Sequence, residues 1–240
     1  MSGWKAKRFW KSAEVKKADG GFEILLDGRP VKTPAKAPLI VPSRAMAEAI
    51  AKEWDAQEET INPGAMPFTR TANSAIDKVT PQHAEVADLL ADYGDSDLLC
   101  YRAEAPQNLV TRQAETWDPI LKWCEVELGV RLTSHAGVIH RPQDEKSIAR
   151  LRELVVQMSP FQLAAFHDLV SLPGSLVIGF AAVQRAFPVE DLWNASRLDE
   201  LWQQEQWGRD EEADAHAEIK RKAFVHAADF YTLLDEKQSF

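Results

Sequence analysis

Carboxylates are the side chains of this sequence most able to do acid–base chemistry, and several of them stand in pairs. Asp95 and Asp97 form one such pair, and Glu58 and Glu59 form another. Catalysis by two carboxylates needs one protonated and one ionised group, and therefore contrasting environments inside a cleft. Glu58 and Glu59 precede a turn, where we expect both to be solvated. Asp95 and Asp97 are the pair on which a hydrolase or an isomerase would depend.

The other patterns that carry chemistry are absent from the sequence. No two of the six histidines have the spacing that places two imidazoles on one face of a helix. No glycine-rich phosphate loop occurs, and no serine stands between glycines as in a hydrolase elbow. Cys100 and Cys124 are the only cysteines, which fits a reducing compartment and two buried structural thiols. We predict no catalytic residue, no metal site and no cofactor.

Residues 199–218 indicate a different kind of chemistry, because aromatic rings there alternate with acids. This stretch carries eight acidic residues and one arginine. Trp202 and Trp207 are five residues apart, which places their rings about 140° apart on a straight helix. At least one ring is therefore expected to be exposed, unless Gly208 ends the helix and turns Trp207 away. An exposed tryptophan beside carboxylates is typical of a protein–protein interface; the alternative is that both rings pack against neighbouring helices.

The elements that must position these residues are strands first and helices afterwards. Residues 22–26 and 29–33 flank Asp27 and Gly28, a strong hairpin signal, and Pro30 confines the second strand to an edge. Residues 39–41 predict a third strand, and residues 8–15 could supply one more. From Ser43, a natural N-cap, the apolar period becomes helical. Helices are expected at 43–57, 68–77, 81–93, 107–128, 144–158, 160–170, 175–186, 189–207 and 210–235.

Glycines and short apolar runs mark the boundaries within this helical region. Gly94 and Gly129 are expected to stop the helices that precede them. Residues 130–132 and 138–140 are the possible strands beyond residue 94. The predicted fold class is α+β and predominantly helical, with a small N-terminal antiparallel β unit followed by a larger all-α helical domain. We place the β-rich domain, with one or two helices, at residues 1–80 and the helical domain at residues 81–240.

Composition limits the classes of partner. The chain has 240 residues, a formal charge of −9 and a pI near 5.2, which argues against a general nucleic-acid binder. Its longest apolar stretch, residues 175–183, is about half the length needed to cross a bilayer. No secretory signal is recognisable at the amino terminus. We expect a cytoplasmic protein, or a mitochondrial matrix protein if the source is organellar, without stable membrane association.

Seven blocks of sequence together carry a resemblance to a known family. They are RFWK at 8–11, LDGRPVKTP at 26–34, EWDAQ at 53–57, PGAMP at 63–67, DLLCYR at 97–102, WDP at 117–119, and WG at 207–208 followed by Glu211. In this order and over nearly the whole chain, they resemble the F1-ATPase assembly chaperones that bind the α subunit. The resemblance implies the same β-then-α fold, a transient complex with free α that ends when β replaces the chaperone, and no enzymatic activity.

The family's acidic and aromatic C-terminal segment is implicated in function, and the resemblance places it at residues 200–212. The residues predicted to bind the partner are Glu200, Trp202, Glu205, Trp207, Glu211 and Glu212. Many family members are expected to have a histidine three residues after the acid that matches Glu211, and Asp214 stands there instead. We expect a monomer. The competing hypotheses are an enzyme that uses Asp95 and Asp97, and a scaffold subunit that stays bound to its partner permanently.

Overall fold

The computed structural model describes residues 7–234, which form two compact units. Among the described residues, the first unit takes the chain up to Gln82 together with Ser159–Ala164 and residues 229–234. The second unit comprises His83–Met158 and Ala165–Ala228. The domain boundary after residue 80 stays a prediction. No helix within residues 7–234 has both the length and the apolar character needed to span a bilayer.

The first unit contains a four-stranded antiparallel sheet built around its second strand. The strands are β1 (Ala13–Ala18), β2 (Gly21–Leu26), β3 (Arg29–Pro30) and β4 (Ile40–Val41), and β2 pairs with each of the others. Asp27 and Gly28 form the tight turn between β2 and β3 with φ of 49° and 79°. The predicted hairpin is thus confirmed, and Pro30 lies on an edge strand, where its missing N–H costs no ladder bond.

Two helices complete this unit and are joined by a carboxylate. Helix α1 spans Arg44–Asp55, and helix α2 spans Pro67–Ser74 and continues as a π-helical segment at Ala75–Val79. Ser43 caps α1 as predicted, because its Oγ accepts a bond from the Met46 N–H at 3.1 Å. The Glu53 carboxylate accepts bonds from the Phe68 and Thr69 N–H groups at 2.7 and 2.8 Å. Burial raises the pKa of Glu53, although these bonds oppose the shift.

The second unit is helical apart from one short parallel strand pair. Strand β5 (Tyr101–Arg102) pairs with β6 (His135–Ala136). The helices are α3 (His83–Ala91), α4 (Gln107–Trp123), α5 (Glu145–Val156), α6 (Pro160–Ser171), α7 (Leu176–Val183), α8 (Val189–Ser196), α9 (Leu198–Trp207) and α10 (Glu211–Thr232). The first turn of α6 and the last turn of α10 belong to the first unit.

Large buried rings form the core of the helical unit. Trp117 of α4 is almost fully buried, and its indole N–H donates to the Ala195 carbonyl of α8 at 2.8 Å. Trp193 of α8 packs against Phe224 of α10 with ring centroids 5.6 Å apart. These contacts hold α4, α8 and α10 together.

Three details of the helical unit differ from the sequence expectations. Gly94 does not stop a helix: it is buried in a 3-10 segment, where an added Cβ would lie 2.8 Å from Leu151 Cδ1. Strands were possible at 130–132 and 138–140, but the strand lies at His135–Ala136. Its position is set by pairing with Tyr101–Arg102, which is remote in sequence and leaves no local signal. The single helix expected at 189–207 is broken at Arg197, where φ is −102° and ψ is 11°.

Asp97 is the fully buried acid of this unit, and its bonds show what it does. Its carboxylate accepts from Ser175 Oγ at 2.7 Å, from the Leu99 N–H at 3.0 Å and from the Val177 N–H at 3.0 Å. Burial raises its pKa to about 6, against the effect of those bonds. The raised pKa expected of a catalytic acid is therefore present. The carboxylate, however, is 0% exposed, and its bonds hold the start of α7, so it is a structural cap.

Asp95, the other member of that pair, is partly exposed and binds the loop at residues 133–143. Its Oδ1 accepts from the Gln143 N–H at 2.7 Å, and its Oδ2 lies 3.2 Å from His140 Nε2. The Gln143 amide closes the loop from the other side through the backbone N–H and carbonyl of Thr133. Asp95 thus fixes the loop that contains residues 133–143.

Candidate protein-binding surface

The acidic and aromatic segment predicted from the sequence forms a helix, a sharp turn and the start of a second helix. Helix α9 ends at Gly208, whose φ of 96° and ψ of 169° are accessible essentially to glycine alone. Asp210 then begins α10, because its Oδ1 accepts from the N–H groups of Glu212 and Ala213 at 2.9 and 3.1 Å. Only the three residues 208–210 therefore separate Trp207 from the first turn of α10.

The two tryptophans of α9 differ in exposure. Trp207 is 76% exposed, and Trp202 is half-buried. Their rings meet edge to face, with centroids 6.0 Å apart and an interplanar angle of 90°. The expectation that at least one ring is exposed is confirmed. Gly208 also ends the helix directly after Trp207. Trp202 supports one edge of Trp207 and leaves most of that ring in solvent.

Several acids of the segment are engaged within the protein. Glu205 Oε2 accepts from Arg112 of α4 at 2.7 Å, and this bond lowers the pKa of Glu205. Glu200 lies 3.4 Å from Arg197. Asp214, which stands where a histidine was expected, binds both Arg209 and Gln204. These contacts stabilise the segment and occupy its carboxylates.

Glu211 and Glu212 are different. Both are exposed in the first turn of α10, and within residues 7–234 neither carboxylate has an ion pair or a side-chain hydrogen bond. A helix amino terminus carries a partial positive charge that favours ionised acids there. The turn thus presents one large exposed ring next to two unoccupied carboxylates. Such a surface provides apolar contact area together with acceptors for arginine or lysine of a partner.

The structure therefore divides the six residues predicted to bind a partner into two groups. Trp207, Glu211 and Glu212 are exposed around the turn, and we call these three residues the turn surface. Glu200 and Glu205 lie on α9 and are paired with arginines, and Trp202 lies under Trp207. The role of all six in binding stays a prediction.

Sequence reasoning missed two residues that support this surface, Arg112 and Gln113 of α4. Arg112 binds Glu205, and the buried amide of Gln113 binds Asp199 in the first turn of α9 at 2.7 Å. A signal for Gln113 did exist. It interrupts an otherwise apolar stripe formed by Leu109, Trp117 and Ile120, and a polar residue on a core face requires hydrogen-bond partners.

Residues suited to a metal or to thiol chemistry do not come together near the turn surface. In the part of the chain from 7 to 234, no group of three or more histidine, cysteine, aspartate or glutamate side chains has a metal-binding arrangement. Cys100 and Cys124 are buried free thiols, as expected. Burial raises the pKa of both, that of Cys124 to about 12, so neither is a thiolate at neutral pH.

Comparison with known proteins identifies the family. Residues 7–125 match the family model described as ATP12 chaperone protein. The mitochondrial protein atp12 of Schizosaccharomyces pombe is 30% identical over 220 residues, which cover 86% of this chain and 75% of the yeast protein.

Solved structures agree in both sequence and fold. The crystal structure of Atp12 from Paracoccus denitrificans is 49% identical, with a TM-score of 0.95, and covers 97% of this chain and 100% of that chain. A point mutant of the same Paracoccus protein has the same identity and TM-score and covers 98% of this chain. The β-then-helical fold class predicted from the sequence is thereby confirmed. This chain belongs to the ATP12 chaperone family and is an F1-ATPase assembly chaperone.

Proposed function

We propose that this chaperone binds the free α subunit of F1 and shields its assembly surface until the β subunit replaces it. The observation that carries the proposal is the turn surface: a tryptophan that is 76% exposed, followed four and five residues later by two exposed carboxylates that have no ion pair within residues 7–234. An unassembled subunit exposes an apolar surface that its neighbour later covers, and exposed patches of that size aggregate. A tryptophan ring can cover part of such a patch, and acids around it set the orientation of the partner.

We further propose that the protein acts as a monomer and makes or breaks no covalent bond. The bonds of Asp97 and Asp95 assign both residues to the framework of the helical unit, which supports this view over an acid–base enzyme. The formal charge of −9 opposes binding to nucleic acids or to anionic lipids. The proposed location is the bacterial cytoplasm, or the mitochondrial matrix if the source is organellar.

Co-expression tests the proposal against a permanent scaffold role. The α subunit is expressed alone, with this chain, and with this chain plus β, and soluble α and the composition of purified hexamers are measured. We expect this chain to keep α soluble and to be missing from the hexamer. Aggregation of α despite this chain would contradict a chaperone of α, and recovery of this chain in the finished hexamer would establish a scaffold instead.

A further inference from the structure

Gln113 is a buried polar residue whose two amide atoms are both engaged. The residue is 1% exposed. Its Oε1 accepts from the Ala103 N–H at 2.8 Å, and its Nε2 donates to Asp199 Oδ1 at 2.7 Å. A backbone N–H can only donate and a carboxylate can only accept, so the partners themselves fix which amide atom faces which. Gln113 therefore joins the backbone after β5 to the first turn of α9.

Helix α9 is attached to α4 at two points. The residue before α9, Arg197, supplies no side-chain cap bond to it. Gln113 holds Asp199 in the first turn, and the adjacent Arg112 holds Glu205 at 2.7 Å, six residues further along. That spacing corresponds to about 9 Å of helix. Two consecutive residues of α4 thus attach α9 in its first turn and in its last turn, where Glu205 lies two residues before Trp207.

These attachments determine where the turn surface lies. Trp207 is the last residue of α9, eight residues and about 12 Å of helix beyond Asp199. The Arg112–Glu205 pair near Trp207 is exposed and is therefore weakened by solvent, whereas the bridge from Gln113 to Asp199 involves a buried amide. Because Gln113 is buried, it cannot contact a partner itself.

We propose that Gln113 is a positioning residue for partner binding, and that its bridge between Ala103 and Asp199 sets the direction of α9 and hence the placement of Trp207. The inference rests on the proposed function, since the partner is the free α subunit. Arg112 contributes the second, exposed attachment, and the buried bridge through Gln113 is the decisive one.

The test exchanges donor and acceptor across the bridge. Gln113→Glu keeps the acceptor for the Ala103 N–H but removes the donor to Asp199 and sets two carboxylates against each other. We expect binding of purified α to weaken about tenfold, in the range of coupling between residues in direct contact. Asp199→Asn alone should bind as wild type, because its side-chain oxygen still accepts. The double variant Gln113→Glu/Asp199→Asn restores one donor and one acceptor, and should recover the affinity.

Gln57 offers a matched control in the first unit. It is also buried, donates through Nε2 to the Glu53 carbonyl at 2.9 Å and accepts through Oε1 from the Asn62 N–H at 2.7 Å. Gln57→Glu loses a donor in the same way, so we expect reduced thermal stability with unchanged affinity for α. All affinities are measured at a temperature at which circular dichroism shows every variant to be folded.

The outcomes separate this inference from the proposed function. If Trp207→Ala weakens binding but Gln113→Glu does not, or if the double variant fails to recover affinity, the positioning role is wrong and the binding surface stands. If Trp207→Ala and Gln113→Glu both bind α as wild type, the surface itself is wrong and the inference falls with it. Should Gln113→Glu not fold, Gln113→Met replaces it: it must weaken binding and, lacking a carboxylate, must not be rescued by Asp199→Asn.

Discussion

At the scale of single residues, the exposure of Trp207 makes the sharpest prediction. Trp207→Ala removes a ring that is 76% exposed, so the free energy of unfolding should change by only about 0.5 kcal/mol. If the ring anchors the partner, the affinity for α should fall at least about tenfold, as for other interface tryptophans. Calorimetric titration with purified α measures the affinity, and urea denaturation measures the stability.

Phe9→Ala is the matched control for this change. Phe9 is 65% exposed and, like Trp207, has an edge-to-face contact with a neighbouring tryptophan, at 5.2 Å from Trp10. It lies in the first unit, so its loss should leave the affinity for α unchanged. Equal losses of affinity in the two variants would show that exposed rings in general, rather than Trp207, bind α.

Glu211 and Glu212, the two exposed acids of the turn surface, make a second prediction. Glu211→Lys or Glu212→Lys reverses an exposed charge that has no ion pair within residues 7–234, so binding of α should slow and its dependence on salt should change. Stopped-flow association rates at several ionic strengths measure both effects. Glu145→Lys controls for the helix-terminus effect, because Glu145 is an exposed acid that follows the capping residue Asp144, as Glu211 follows Asp210. If the Glu211→Lys and Glu212→Lys variants associate with α at the same rate as the Glu145→Lys control, Glu211 and Glu212 do not belong to the interface.

Asp97 predicts a dependence of stability on pH. Its pKa of about 6 in the folded protein exceeds the ordinary value of 3.8, so the folded state binds the proton more tightly than the unfolded chain. Its contribution to stability is therefore complete below pH 4 and is lost as the pH rises through 6. Between pH 5 and 7 the loss is about 1 kcal/mol.

Urea denaturation at both pH values checks this linkage by comparison with Asp97→Asn. The variant is expected to be less stable throughout, because an amide N–H₂ would face a donor, but it lacks the titrating carboxyl. Wild type should therefore lose about 1 kcal/mol more than the variant on going from pH 5 to pH 7. Parallel pH profiles for the two proteins would mean that Asp97 stays ionised over this range.

At the scale of elements, the turn between α9 and α10 depends on one glycine. Gly208→Ala should strain the turn by about 1–3 kcal/mol, because its φ of 96° and ψ of 169° lie in a region essentially restricted to glycine. The strain should displace Trp207 and weaken binding of α by more than the loss of stability explains. Gly129→Ala is the control: it too has a positive φ, of 68°, but lies at the end of the α4 region. If both variants lose stability while neither loses affinity, the turn does not position the partner.

Some elements of the fold can be predicted from the residues at each position and their immediate neighbours. The Asp27–Gly28 turn, the Ser43 cap and the left-handed Gly129 each follow from the residues at those positions, and each prediction is confirmed. The break at Arg197 is different, because no proline or glycine marks it. The β5–β6 pair joins residues more than thirty positions apart, and no local pattern encodes that pairing.

The sequence likewise predicts some features of the candidate surface and not others. The exposure of a tryptophan in α9 follows from helical periodicity, so it is accessible from the sequence. The pairing of Glu205 with Arg112 joins residues 93 positions apart. The sequence alone does not distinguish this paired acid from Glu211, which has no ion pair in the part of the chain from 7 to 234. Which acids are free for a partner is thus decided by tertiary packing.

At the scale of the whole molecule, a chaperone with the proposed function must bind α well enough to prevent aggregation and must release it to β. Handover follows by mass action if β occupies the same surface of α with higher affinity. If the turn surface binds α, its composition suits this role, because one exposed ring and two exposed acids form a smaller and more polar surface than a permanent apolar interface.

The most direct measurement is displacement in a purified system. This chain is mixed with α, the complex is isolated by size exclusion, and β is then added while the mass of every species is followed. We expect a complex of one α with one chaperone that dissociates on addition of β, leaving the chaperone free and α bound to β. A chaperone that forms no complex with α, or one that remains bound after β has joined, would contradict the central claim.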